Sequence, residues 1–498
     1  MLRLGWAALL LTVSVVAASV TLNTQNQTPR IWNEAALSDW ATPIAALNVR
    51  PTHYTPEQYY SAPVDNLRTY PVYHPDEEPP GYWNWLRQQK PQPLVDVSQI
   101  QTRDDWIRAG ERAFRELDAP LSRTDDPAAI ASARAPASFT NVLKLADGSV
   151  HDPRWVVTEQ GVMLTVVECS GCHFSVEPDR TVRVAGPGGP LPADVSRLSP
   201  AGPNLFARMM RQAFQGETPG MIRWRLFTTP WAPDERIEQM RTMAPGELPP
   251  QDSHGVFARM NGSPFYQTRI PDLQNLSYSR YIDATATHRL RGPEDVARYG
   301  ALINFADPLD FGTHRIKTTA QRRVPYRYAD EVLYAIGMYL MSLEPPPNPN
   351  LARGDVLNRG EAIFRREGCV NCHMPPTYTS GKLTLAQGWR PPANHPNRED
   401  IMSVSVDTDA GLALRTRKGT GFYKIPSLRG VWYRRRLLHD GSLATLEEMF
   451  DPARLRPDFV PGGWSPPGVT TRAVSGHVFG LNLSPTERWT LLAFLRSL

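Results

Sequence analysis

The sequence predicts a mainly α protein of two units in tandem, with long loops and a few short strands. All four cysteines of its 498 residues fall in two copies of one pattern, Cys169-Ser-Gly-Cys172-His173 and Cys369-Val-Asn-Cys372-His373. Downstream of each copy an apolar helical pattern closes a unit: Tyr328–Leu343 after the first, and a helix running to Leu498 after the second. Pro is abundant, with 48 residues, which suits long ordered loops better than a sheet-rich fold.

C-x-x-C-H is the attachment pattern of c-type haem, in which two thiolates bond the vinyl groups and the following His binds the iron. The spacing is chemical: two thioethers three residues apart anchor one edge of a porphyrin, and the adjacent His is held beneath the metal. A structural disulfide or half a zinc site is the competing reading, weakened because two motifs use every cysteine. The expected cofactors are two covalently bound haem c groups, with His173 and His373 as proximal iron ligands.

The elements follow in chain order. Met1–Ser19 has a basic Arg3, an apolar run from Trp6 to Ala18 and small residues at its end, the pattern of a secretory signal peptide. An uncleaved anchor is the alternative; both put the body of the protein outside the cytoplasm, periplasmic or secreted. From 20 to 98 the text is rich in Pro, Tyr and Trp without helical period, and Tyr73–Trp83 reads as an extended arm over the surface. Asp104–Leu117 is the first helix, with Trp106, Ala109, Ala113 and Phe114 on one stripe. Strands are expected near Ser138–Leu145 and Trp155–Cys169. Short helices follow near Pro203–Gln215 and Pro293–Ile303, separated by Pro- and Gly-rich loops.

Residues 99–344 are read as the first unit and 345–350 as a Pro-rich linker. Residues 351–498 are the second unit. There Asp355–Arg366 is helical with Gly360 and Phe364 and runs into Gly368-Cys369. At the far end Ser484-Pro485-Thr486-Glu487 is a capping box with Pro at the first helical position. A leading helix, C-x-x-C-H, a loop-rich middle and a closing helix make a cytochrome c-type domain, and the first unit repeats that order more loosely. The charge of +4, from 54 Lys and Arg against 50 Asp and Glu, gives no field that would select nucleic acid. No second apolar run is long enough for a membrane.

The stretch Gly419-Thr420-Gly421-Phe422-Tyr423-Lys424-Ile425-Pro426-Ser427-Leu428-Arg429-Gly430, then Leu438-His439-Asp440-Gly441-Ser442, resembles the bacterial dihaem cytochrome c peroxidase superfamily. Within it, the run Pro452–Pro457, Gly476-His477-Val478-Phe479-Gly480, the long interval between the motifs and the N-terminal arm are similar to the rubber-oxygenase-like branch. The resemblance implies a second haem that relays electrons and a first haem that reacts. A sixth ligand restricts a haem to electron transfer, and an open position binds dioxygen or peroxide.

For the second iron the resemblance implies a C-terminal His, matched by His477, or a Met as in peroxidase relatives, with Met402 and Met449 as candidates. His439 would support the second site without binding iron. Arg429 is a candidate partner of a haem propionate, and Tyr423 a candidate for electron or radical transfer. For the first haem, His254, His288 and His314 are the available histidines. His288 with Arg289 pairs an acid–base group with a cation, suited to polarising an O–O bond. Glu168 lies too near the attachment edge to be an obvious acid. Three functions remain open. They are a peroxidase fed by a small redox protein or cytochrome, a pure electron-transfer cytochrome with two six-coordinate haems, and a dioxygenase acting on an apolar substrate.

Overall fold

The structure is a computed structural model that describes residues 28–188, 191–196, 198, 211–242, 255–256 (backbone), 263, 265–348, 354–466 and 468–498. The signal segment, most of the helix expected near Pro203–Gln215, part of the linker and His254 lie outside them. The fold is mixed, 34% helical and 15% strand, so strand takes a larger share than a mainly α reading implies.

Three helices frame the first motif. α1 (Arg103–Glu116) starts at a reciprocal cap, Thr102 accepting from the Asp105 N–H while the Asp105 carboxylate accepts from Thr102. It buries Trp106, Gly110, Ala113 and Phe114. α2 (Pro293–Ile303) opens with Pro at its first turn and Glu294 and Asp295 beside it, where the helix dipole favours negative charge. α3 (Asp330–Ser342) is apolar on most of its circumference, burying Val332, Leu333, Ala335, Ile336, Gly337, Tyr339 and Leu340, because both α1 and α2 pack against it. α4 (Asp355–Arg366) and α5 (Pro485–Leu495) form the matching pair around the second motif. α5 begins at the Ser484–Glu487 capping box the sequence predicts.

The two pairs cross in the same way. Gly110 of α1 faces the Ala335 carbonyl and the Tyr339 side chain of α3, and Gly360 of α4 faces Phe494 and the Thr490 carbonyl of α5. A Cβ at either position would overlap the partner helix, so only glycine lets the backbones approach this closely. Phe114 and Phe364 sit one turn on from these glycines, both buried.

β-Structure is spread over small sheets. β1 (Thr69–Tyr73), β2 (Ser149–Thr158) and β3 (Gly161–Thr165) make an antiparallel sheet in that order, with Tyr70 opposite Trp155 and Trp155 opposite Leu164. The hairpin thus lies further along the chain than the sequence suggests; Pro136–Phe139 forms a 3-10 turn instead of a strand, in keeping with Pro at its start. β4 (Phe174–Val176) and β5 (Val182–Val184) form a hairpin directly after the first motif. β6 (Leu383–Leu385) pairs with β7 (Phe422–Lys424), Thr384 opposite Tyr423.

Residues 28–98 are not an overlay on the surface. Trp32, Trp40, Tyr54 and Tyr59 are buried in the same core as α1, α2 and α3, and Tyr73 ends β1. Each large side chain taken out of water contributes about 2 kcal/mol or more. A few such anchors hold a segment whose sequence has no helical or strand period to announce it.

Candidate haem sites

The first motif opens onto a cavity of about 240 Å³. Cys169, Cys172 and His173 line it, with Phe114 from α1, Val296, Tyr299, Gly300 and Ile303 from α2, and Ile336 and Leu340 from α3. His173 Nδ1 lies 3.2 Å from the Pro271 carbonyl. A carbonyl only accepts, so Nδ1 carries the proton and Nε2 keeps the lone pair a metal needs. Among the described residues lining the cavity there is no second His and no Met.

Polar groups in this wall come from three directions. Asp283, in a left-handed backbone conformation, accepts from the Thr285 and Thr287 N–H groups, from the Thr287 hydroxyl and, at 3.2 Å, from the Tyr299 hydroxyl. Burial outweighs these bonds and raises its pKa above the usual aspartate value. Lys424 lines the cavity from β7, and burial lowers it to about 8. Arg269 donates to the Arg436 carbonyl at 2.8 Å, and burial lowers it to about 10. Glu168 also lines the cavity, although its place in sequence argued against a role.

The expected acid–base pair is elsewhere. His288 is fully buried behind Tyr299, its Nε2 3.4 Å from His53 Nε2 and its Nδ1 2.9 Å from the Thr287 hydroxyl. Neither His288 nor Arg289 lines the cavity. His314 packs on Trp231, with ring centroids 5.5 Å apart. Asp283, Tyr299 and Lys424 are the groups sequence reasoning passed over. The one signal for them was Asp283-Ala-Thr-Ala-Thr287, an Asp followed by two Thr that its carboxylate can bond.

In the second site His373 Nδ1 lies 3.1 Å from the Tyr378 carbonyl, which again leaves Nε2 for a metal. The His477 ring stands opposite, 6.5 Å from that of His373 between centroids. Two iron–imidazole bonds of about 2 Å, plus the distance from each nitrogen to its ring centre, give about 6.3 Å. His477 Nδ1 is buried without a protein partner. Burial lowers both histidines to about 4, keeping them neutral as ligands must be. These residues fit a haem held from both faces.

His477 reaches this position because residues 474–477 are clamped. It adopts φ 49° after Gly476 at φ 81°, and its N–H donates to the Val406 carbonyl at 2.7 Å. The Arg454 guanidinium, wholly buried, donates to the carbonyls of Met449, Val474 and His477. Met449 itself packs in the core with Phe364 and Phe494. Met402 accepts from the Ser380 hydroxyl at 3.8 Å.

The segment Gly419–Gly430 runs between the two sites. Pro426 and Ser427 line the first cavity, and the Ser427 hydroxyl donates to the carbonyl of Thr377, the residue before the Tyr378 that holds His373. Tyr423 does not line the cavity; its hydroxyl donates to the Asp409 carbonyl at 2.8 Å and its ring lies against His439, centroids 4.6 Å apart. His439 pairs with Asp409 at 3.1 Å, and its carbonyl accepts from the Arg269 N–H. That sets it beside the wall of the first site, which Arg269 lines. Arg429 is half-exposed and faces Glu344 at 3.8 Å.

A curated protein similar to this chain is a cytochrome-c peroxidase, IdrP2, of a Pseudomonas species. It is 28% identical over 191 residues, 34% of this chain and 48% of that one. The chain resembles the dihaem cytochrome c peroxidases. The match spans about half the length of that peroxidase, and no family model matches. Solved structures similar to this dihaem-peroxidase-like chain include the dihaem peroxidase BthA of Burkholderia thailandensis, 19% identical over 57% of this chain and 86% of that one, TM-score 0.28. A MauG-like protein associated with microbial copper homeostasis is 18% identical over 46% and 72%, TM-score 0.27. At such scores the likeness says nothing of how this chain is arranged. Among the described residues no helix is long and apolar enough to cross a membrane.

Proposed function

We propose that the chain is an exported dihaem c-type cytochrome of peroxidase type, built of two cytochrome c-type domains that each bind one haem covalently. The observation that carries the reading is an asymmetry of ligands. His373 faces His477 in the second site, while His173 faces a cavity with no second His or Met among its described lining residues. A filled second site would pass electrons and an open first site would react.

A haem bound at the first site supplies an iron at which peroxide can be reduced. The chain's own residues then have defined tasks. Pro271 holds the His173 proton so that Nε2 points at the metal. Asp283, whose raised pKa keeps a proton available nearer neutrality, is the acid–base group, with Tyr299 bonded to it. Arg269 suits a haem propionate better than Arg429, because it lines the cavity and Arg429 does not. Electrons from a small redox protein or cytochrome enter at the second site and cross by Pro426 and Ser427. The likeness to the rubber-oxygenase-like branch rests on the runs that hold Arg454 and His477, the long interval between the motifs and the N-terminal arm. The many apolar side chains of the first cavity favour, as a second reading, dioxygen chemistry on an apolar substrate.

The test is rapid mixing of the reduced, haem-loaded protein with hydrogen peroxide under anaerobic conditions. Oxidation of both haems, with turnover when a reduced small cytochrome is present, is expected. A reduced protein indifferent to peroxide would contradict the peroxidase reading; a stable adduct formed when dioxygen is admitted to the reduced protein in a separate mixing would favour the second one.

A further inference from the structure

The N-terminal arm brings an unbroken run of rings to the wall of the first site. From outside inward, Tyr60 meets Tyr59 edge to face at 5.1 Å between centroids, and Tyr59 stacks on Trp32 at 4.7 Å with planes 18° apart. Trp32 meets Trp40 at 6.3 Å, Trp40 lies 4.2 Å from His288, and His288 lies 5.6 Å from Tyr299, which lines the cavity. Trp32, Trp40, Tyr59 and His288 are buried, and Tyr60 is half-buried.

Buried aromatic rings are ordinarily packing, and their number alone means nothing. The two ends distinguish this run. At the outer end the Tyr60 hydroxyl donates to Asp330 Oδ2 at 2.7 Å, so its phenol has a base in place. Burial raises the Asp330 pKa, which makes that carboxylate a better proton acceptor. At the inner end Tyr299 is bonded to Asp283 at the cavity. Between them both indole N–H groups donate to backbone carbonyls, Trp32 to Tyr54 and Trp40 to Arg289, which fixes the rings in place. One-electron exchange falls steeply with distance, and here each ring touches the next.

We propose that this run carries one-electron oxidising equivalents from the first site to Tyr60, giving the protein a second place, on the arm, at which a reductant is oxidised. The proposal rests on the peroxidase-type reading of the first site. Peroxide there takes up two electrons and two protons and leaves as two waters. One of the two electrons comes from the second site, as in the peroxidase reading, and the other from Tyr60 by way of Tyr59, Trp32 and Trp40; the two protons come from solvent through Asp283. His288 fills the gap to Tyr299 without itself being oxidised. As the electron leaves Tyr60, its phenol proton passes to Asp330 and from there to solvent. The neutral phenoxyl left behind takes a hydrogen atom from an external donor, which restores Tyr60. The guanidinium groups of Arg30 and Arg327, 4.0 and 4.9 Å from the Tyr60 ring centre, make that radical a stronger oxidant and favour an anionic aromatic donor, a phenol bearing a carboxylate.

The test uses the haem-loaded protein and hydrogen peroxide with no added donor, read by freeze-quench EPR, by the haem optical spectrum and by peptide mass mapping. The wild type is expected to give a tyrosyl signal and oxygenated or cross-linked Tyr60. In Trp40→Phe, and separately in Trp32→Phe, modification of Tyr60 should fall several-fold while the haem still responds to peroxide. Haem oxidation with Tyr60 untouched would overturn the aromatic route and leave the peroxidase reading standing. Equal modification of Tyr60 in wild type and both variants would also overturn it, since bulk peroxide would then suffice. A haem spectrum indifferent to peroxide would remove both readings together.

Discussion

Replacing Arg454 by Met should release His477 from its place opposite His373. The guanidinium is wholly buried and donates to three backbone carbonyls, those of Met449, Val474 and His477, the last two at the ends of the 474–477 segment. Methionine fills much of the volume and donates nothing. A buried acceptor left without a donor costs about 1–3 kcal/mol, and three of them, offset by no longer burying a charge, give a loss of about 3–5 kcal/mol. The effect should appear twice: as a lower urea midpoint for the haem-loaded protein, and as a second site that now takes up cyanide. A loss below about 1 kcal/mol, with the second site's spectrum unaltered, would refute the argument that Arg454 holds His477 in place.

Gly360→Ala should cost about 1–3 kcal/mol or more in unfolding free energy, because the new Cβ meets the Phe494 side chain and the Thr490 carbonyl across the helix crossing; a neutral substitution would mean that the α4–α5 contact is looser than described. Asp283→Asn should slow the reaction of the haem-loaded protein with peroxide about a hundredfold while leaving the ferric spectrum in place, and an unchanged rate would take Asp283 out of the chemistry. The His439–Asp409 pair should set a pH dependence of stability. Burial lowers the His439 pKa, but Asp440 and Asp409 outweigh it and hold the pKa above 6.5; burial raises Asp409, but His439 outweighs it and brings the pKa to about 2. The pair's contribution is therefore complete between pH 3.8 and 6.5, is lost upward through the raised His439 pKa and downward through about pH 2. The difference in urea midpoint between wild type and His439→Gln should shrink from pH 6 to pH 9, and growth over that range would contradict the assignment.

The helices were legible because their physics is local. The stripe of Trp106, Ala113 and Phe114 and the Ser484–Glu487 capping box are readable within a few turns of chain, and both elements fall where the periodicity puts them. His477 stood out because a His between glycines, just ahead of a closing helix, is free to turn toward whatever lies beside it. The clamp that turns it depends on Arg454, more than twenty residues away, and no spacing rule leads there. The burial of Trp32, Trp40 and Tyr59 was hidden for a similar reason, since their partners on α1, α2 and α3 are remote in sequence. The wall of the first cavity is the hardest part. It joins Asp283 and Tyr299 to Lys424, Pro426 and Arg434, which lie more than a hundred residues later, after the second motif, so reading the stretch between the motifs alone puts His288 where Tyr299 stands.

Low-temperature EPR of the oxidised, haem-loaded protein, before and after cyanide, tests the ligand asymmetry most directly. One low-spin signal that ignores cyanide, from the His373–His477 site, with a second signal that cyanide converts, is the predicted result. Two low-spin signals, both indifferent to cyanide, would contradict it and make the chain an electron carrier with no open iron.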